Sequence, residues 1–156
     1  MKIKHMVEIA AGAPAVFSWL ADPERARAWQ GEVAGYEVLS RTPQITGTTF
    51  RETVSDGGQS LEMRGTVTAC EPDRRIAFQL ESRIHRLEVD YRLEEIDGGV
   101  RLTQTADVRW KFPMNLIMLM AGRDAAAQLR TQSENELAAL KRLCEQQPHG
   151  EAERSA

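Results

Sequence analysis

His85-Arg86-Leu87-Glu88-Val89-Asp90-Tyr91-Arg92-Leu93-Glu94-Glu95-Ile96 runs through Asp97-Gly98-Gly99 into Val100-Arg101-Leu102-Thr103-Gln104-Thr105-Ala106-Asp107-Val108-Arg109-Trp110. Side chains of a strand alternate between two faces. His85, Leu87, Val89, Tyr91 and Leu93 therefore share one side, and Arg86, Glu88, Asp90, Arg92 and Glu94 share the other. The second run sorts the same way, with Val100, Leu102, Gln104, Ala106, Val108 and Trp110 on its apolar side. The Asp-Gly-Gly link tolerates the positive φ angles of a tight hairpin. The reading is two antiparallel neighbours with a charged outer face and a dry inner face, and the dry face has to be covered.

Upstream the same alternation recurs. Residues 75–82 put Ile76, Phe78, Leu80 and Ser82 inward, after a β-turn at Glu71-Pro72-Asp73-Arg74 with Pro72 at its second position. Residues 60–70 put Leu61, Met63, Gly65, Val67 and Ala69 inward, and Asp56-Gly57-Gly58 links them to a strand over 47–54 with Phe50, Glu52 and Val54 inward. A further strand is expected over 35–40. At the start of the chain, 2–10 alternates through Ile3, His5, Val7 and Ile9. Pro14 suits the first turn of a helix over 14–20, and Asp22 caps a second helix over 23–29 with Pro23 and Glu24 in its first turn. Downstream, Pro113 ends the strand pattern. One long helix is then expected from 114 to 144, with Leu116, Met120, Ala126, Leu129, Leu137, Leu140 and Cys144 at helical spacing. The fold class is α+β: consecutive antiparallel strands whose apolar face is covered by a final helix. A single domain over 1–145 is expected, followed by a polar tail, 146–156, expected to be disordered.

The chain has 156 residues, enough to bury a core without staples, and 42% hydrophobic and 28% charged residues are ordinary for a globular protein. Net charge is −3, with both signs interspersed, so no basic stripe points to nucleic acid. Cys70 and Cys144 stand in no metal-ligand spacing and are expected to be free thiols in a reducing compartment. Neither a signal peptide nor a run of ~20 apolar residues is present, which makes the cytoplasm the expected location and excludes an integral membrane segment. The three histidines, His5, His85 and His149, form no metal spacing, and no nucleophile elbow, phosphate loop or Cys-x-x-Cys occurs. No metal and no cofactor are expected, and the chain is expected to be a monomer or a homodimer.

Function is sought where polar groups fall on the dry face: Glu52, Ser82, His85 and Gln104. Burying such a group without a partner costs roughly 1–3 kcal/mol, and more for a charge. One reading is that they line a cavity and orient a ligand; the other is that each pairs locally or reaches solvent at a strand end. Ser82 and His85, beside a hairpin turn, fit the second. His5 is assigned to structure. The expected ligand-binding wall comprises Glu52, Met63, Phe78, Leu80, His85, Leu87, Val89, Tyr91, Gln104, Ala106, Val108, Met118 and Gly122. Among them Glu52 and His85 are candidates for a general base. The apolar segment 112–122 is expected to be a helix start buried between the sheet and the N-terminal helices. Its alternatives are an adaptable methionine-lined pocket wall, with Gly122 leaving room for a ligand, or an exposed contact patch.

Glu8-Ile9-Ala10-Ala11, then Ala13-Pro14-Ala15-Val16-Phe17-Ser18-Trp19-Leu20-Ala21-Asp22-Pro23-Glu24 and Trp29 resemble the START-like (SRPBCC) superfamily. More narrowly they resemble its polyketide cyclase/dehydrase and lipid-transport group. Gly47, Glu71-Pro72-Asp73-Arg74-Arg75 and Gly98-Gly99-Val100-Arg101-Leu102-Thr103 follow that pattern, so the resemblance covers most of 1–145. It implies a Bet v 1-like helix-grip fold, in which a seven-stranded curved antiparallel sheet wraps a long C-terminal helix around an apolar cavity. Members bind lipids, sterols, plant hormones or polyketides; some catalyse cyclisation or dehydration, and relatives assist chaperones. No catalytic motif of the family carries over residue by residue. The expected function is binding, for transport or sequestration, of an apolar or amphipathic small molecule. The alternatives are a cyclase/dehydratase using Glu52 or His85 as base with Tyr91 as donor, and a protein-interaction module without a ligand.

Overall fold

In the computed structural model, which describes residues 1–31, 33–56 and 59–146, strand β1 (Lys2–Ile9) is followed by α1 (Ala13–Ala21) and α2 (Pro23–Ala26). Then come β2 (Val33–Ser40), β3 (Thr49–Asp56), β4 (Gln59–Glu71), β5 (Arg75–Glu81), β6 (His85–Ile96), β7 (Gly99–Trp110) and α3 (Met114–Gln146). The strands form one seven-stranded sheet in the order β1-β7-β6-β5-β4-β3-β2, antiparallel throughout. Short links make consecutive strands neighbours; only β1 crosses over to pair with β7, where Ile3 faces Ala106 and Ile9 faces Val100.

Turn chemistry sets the register. Arg74 N–H donates to the Glu71 carbonyl (3.0 Å) across Pro72 and Asp73, and Asp73 takes a φ of 64°, as the third position of a type II turn requires. Ile96 pairs with Gly99 across Asp97-Gly98. Of the expected Asp56-Gly57-Gly58 hairpin, Gly57 and Gly58 lie outside the described residues, as does the tail from 147 onwards. Within the sheet, Phe50 of β3 faces Gly65 of β4. A Cβ on Gly65 would stand 2.2 Å from the Phe50 ring, so the missing side chain lets the aromatic lie against the backbone.

The dry face sorts as the alternation demands. Ile9, Ile76, Val100 and Leu102 of the sheet, with Val16 of α1 and Leu140 of α3, are the largest fully buried side chains. The outer face carries ion pairs instead: Arg75 grips Asp90 (2.8 Å), and Arg101 bridges Glu8 (3.2 Å) and Glu94 (3.5 Å). The last turns of α3 are tied to β1 by polar contacts, since Lys141 Nζ donates to the Glu8 carbonyl (2.6 Å) and Ala10 N–H to the Glu145 carboxylate (3.1 Å). Cys144 is buried and Cys70 half-buried, both as free thiols.

Three expectations are corrected. The helix over 23–29 stops at Ala26: the chain makes irregular turns that bring Trp29 inward, where its Nε1 donates to the Trp19 carbonyl (3.0 Å). The C-terminal helix is not continuous, because Gly122 adopts φ 54° and ψ −123° and divides it. Only glycine adopts such a backbone without a Cβ penalty. In consequence the segment before Gly122 is not buried: Phe112 and Leu119 are 78% exposed and Met120 89%. The segment is apolar almost all round, and ahead of the break much of that surface is exposed.

Candidate functional site

Between the sheet and the second half of α3 lies a cavity of about 260 Å³. β3, β5, β6 and β7 each contribute two or more alternating inward residues; β4 adds Met63, β1 Ile3 and β2 Val33 and Tyr36, while Leu20 and Ala21 of α1, Pro23 and Ala26 of α2, and Leu129, Gln132, Ser133 and Glu136 of α3 close the space. Of the residues expected to form the wall, Glu52, Met63, Phe78, Leu80, His85, Leu87, Val89, Tyr91, Gln104, Ala106 and Val108 line it. Met118 and Gly122 do not. Both border a shallow depression beside Arg109 and Trp110, on the far side of the helix break, and Met118 also borders the outer hollow next to the cavity. The broken helix is the physical reason, because it takes both residues off the line that Leu129 and Glu136 continue.

The polar lining divides into two groups. At the edge, Ser82 and His85 form a local knot. Ser82 Oγ meets His85 Nδ1 at 2.5 Å and accepts from the backbone N–H groups of Ile84 and His85, both at 3.1 Å. The His85 ring stacks on Trp110 with centroids 5.1 Å apart. Burial holds the His85 pKa below its ordinary value, its own backbone hydrogen bond opposing this and Lys111 adding to it. Ser82 is thus a turn-fixing group, as its place beside the hairpin suggested.

Deeper in, Gln104 Nε2 donates to the Tyr91 hydroxyl at 3.0 Å, the two residues lying opposite each other on β7 and β6. Tyr91 is 4% exposed and Gln104 5%. Gln104 Oε1 has no hydrogen-bond partner among the described residues. Glu52, on β3 opposite Met63, faces the same cavity. Burial pushes its carboxyl up to about 7, and the Glu136 carboxylate adds to the rise. Tyr91 is raised well above the usual phenol range, first by burial and then by Glu136, with Glu52 a smaller contributor. Tyr36, the cross-strand neighbour of Glu52, is pushed up to about 12 by burial and then by Glu52. Glu52, Glu136, Tyr36, Tyr91 and Gln104 therefore share one electrostatic environment.

Around them the aromatic rings interlock. Trp29 meets Tyr91 edge-on at 6.0 Å, Phe78 meets Tyr91 at 6.4 Å and Phe50 at 5.9 Å, and Tyr36 stacks on Phe50 at 5.2 Å. Among the described residues no lysine or arginine lines the cavity. His5 stands apart from the cavity with its Nδ1 3.9 Å from Glu134, in keeping with a structural role. Among the described residues no group of three or more histidine, cysteine or acidic side chains is placed to hold a metal ion.

Sequence reading missed Glu136, Tyr36 and the cavity-facing side of Trp29. For Glu136 a signal existed. Leu129, Ser133, Glu136 and Leu140 recur at spacings of four, three and four, so the polar pair continues a buried helical stripe. Reading only the apolar positions of the helix passed over it. Tyr36 carried no such signal, because the edge strand's alternation is interrupted by a bulge between Val33 and Gly35.

A curved antiparallel sheet gripping a helix across an internal cavity defines the helix-grip class of protein. A sequence profile for the polyketide cyclase/dehydrase and lipid transport family matches residues 1–145, and the chain belongs to that family. Solved structures agree on the fold. A START superfamily protein from Mycobacterium smegmatis superposes with a TM-score of 0.74 at 24% identity, covering 93% of this chain and 97% of that one. Ara h 8.0201 gives a TM-score of 0.71 at 12% identity over 92% and 97% of the two chains. The di-domain ARO/CYC protein StfQ of the steffimycin biosynthetic pathway gives 0.75 at 18% identity, covering 92% of this chain and 50% of that one. At these identities the likeness is one of fold alone. A search of curated proteins returns no match.

Proposed function

We propose that this protein binds an apolar or amphipathic small molecule, such as a lipid or a polyketide-like compound, in the cavity beneath α3. The observation that carries the reading is the cavity's composition: a wall of aliphatic and aromatic side chains with a few convergent polar groups, Glu52, Tyr91, Gln104 and Glu136. Pockets that take small organic molecules have this make-up, apolar area supplying affinity and a few polar atoms supplying orientation. Family membership supports the same reading.

A second reading has one observation in its favour. A carboxyl pushed up to about 7 can exchange a proton near neutral pH, so Glu52 has the acidity of a general acid or base. With the Tyr91 hydroxyl on the same cavity, it suits proton abstraction and enolate stabilisation on a polyketide-like substrate, the chemistry of a cyclase or dehydratase.

Native mass spectrometry of the freshly purified protein, with extraction of any bound molecule, tests the first reading. It is paired with titration of the neutral fluorophore N-phenylnaphthylamine. A retained organic adduct or saturable fluorescence supports a container; neither signal in folded protein overturns it. A cyclase or dehydratase requires in addition that extracted compound be converted by wild type and not by Glu52→Gln.

A further inference from the structure

Three features of the cavity bear on the chemistry of its occupant. First, among the described residues its charged side chains are all of one sign: the carboxyl groups of Glu52 and Glu136 face it, and no described lysine or arginine lines it. Glu52 is buried there and its charged neighbour is the Glu136 carboxylate. Second, a deeply buried polar side chain keeps an unused acceptor. Gln104, a lining residue, is 95% buried, spends an amide N–H on the Tyr91 hydroxyl, and leaves Oε1 without a partner among the described residues. Third, the rings of Trp29, Tyr36, Phe50, Phe78 and Tyr91 form one contiguous aromatic cluster along the same wall.

Each feature asks the same of a ligand. Carboxylate and amide oxygens accept hydrogen bonds and lack donors; aromatic faces present negative quadrupole density. A ligand carboxylate or phosphate would meet repulsion from Glu52 and find no cation to offset it. A neutral hydroxyl would satisfy one acceptor and draw nothing from the aromatic faces. A protonated amine supplies several N–H donors and a positive charge, and brings Glu52 to its ionised form. Resting on the container reading above, we propose that the physiological ligand is an apolar molecule carrying a cationic amine, which the Glu52 carboxylate, Gln104 Oε1 and the aromatic wall around Tyr91 hold together.

The test compares three competitors with one ring system and different head groups: naphthylethylamine, naphthylethanol and naphthylpropionate. Each displaces N-phenylnaphthylamine from the full-length protein at pH 7.5, where the amine is protonated. The amine is expected to compete roughly tenfold or more better than the alcohol, with the carboxylate weakest, as a charged hydrogen bond plus a desolvated cation–π contact implies. In Glu52→Gln, which keeps the shape and removes the charge, amine and alcohol should come within about threefold of each other while alcohol binding persists. Equal competition by amine and alcohol in wild type, or preference for the carboxylate, overturns the amine assignment and leaves the container standing. Failure of the fluorophore and all three competitors to bind folded protein overturns the container itself. Should Glu52→Gln fold poorly, the wild-type ranking alone still decides.

Discussion

The two ends of the space under α3 are built from the same strands and behave in opposite ways. At one end, Ile9, Val100 and Leu102 of the sheet close against Val16 of α1 and Leu140 of α3, each of them at most 1% exposed. At the other, Leu87, Val89, Ala106 and Val108 face a cavity in which Glu52, Tyr91 and Gln104 also stand. Both stretches of β6 and β7 show the same alternation of apolar and charged residues. Strand patterning thus specifies which face is dry without specifying whether that face is filled. Where the middle of α1 and the end of α3 meet the sheet, side chains interlock; where the end of α1, α2 and the middle of α3 cover it, space remains.

Packing differences of this kind are measurable. The largest effect is expected at the filled end, where Leu140→Ala removes a fully buried side chain and should cost about 2–5 kcal/mol in urea denaturation. Leu87→Ala, at the rim of existing space, should cost less than half as much, because fewer contacts are lost there. Equal costs at the two positions would erase the distinction between the ends.

A smaller effect, of opposite sign, is expected from the cavity's carboxyl. Glu52 titrates near 7 when folded and at 4.5 in the reference state. The folded protein therefore holds the extra proton between those values, and stability falls as pH rises through that window. Glu136 on α3, Tyr36 on β2, and Tyr91 and His85 on β6 share the cavity with it and remain in the variant. Glu52→Gln should be neutral at pH 4 and more stable than wild type at pH 8, by up to ~3 kcal/mol. Thermal melts at the two pH values check the sign. A variant less stable at pH 8 would mean that the carboxylate is stabilised by a partner when ionised.

The smallest effect belongs outside both ends. Met120→Ser, on the exposed segment before Gly122, should change stability by less than about 0.5 kcal/mol in the same urea assay. A loss above 1.5 kcal/mol would place that segment against the core in solution, as its apolar pattern alone suggested.

Much of the architecture was legible from alternation and turn chemistry. The inward sets of β3 to β7 and the turn at Pro72 followed from residues two or four apart, because strand geometry is local. Most of the cavity wall came with them, since any residue on the dry face away from the close-packed end borders the space. The parts that could not be read depend on long-range placement. Gly122 carries a conformational freedom that sequence shows, but whether the helix uses it depends on what lies beyond the sheet's edge. Met118 was assigned to the cavity on the strength of an unbroken helix, and the break moved it. Glu136 was passed over because only the apolar positions of the helix mark its buried stripe by type, and a glutamate on that stripe does not.

By itself the sequence determined the antiparallel pairing of consecutive strands, the dry face and a C-terminal helix, all properties of short-range periodicity and turns, while the resemblance of its motifs pointed to the family. Only the tertiary structure decided that Glu52 and Glu136, separated by more than half the chain, share one cavity, and that the Gln104 carboxamide meets Tyr91 and leaves an acceptor over. Such a meeting depends on sheet curvature and on the line along which α3 crosses it. Both arise from the summed packing of distant elements, and no local spacing encodes them.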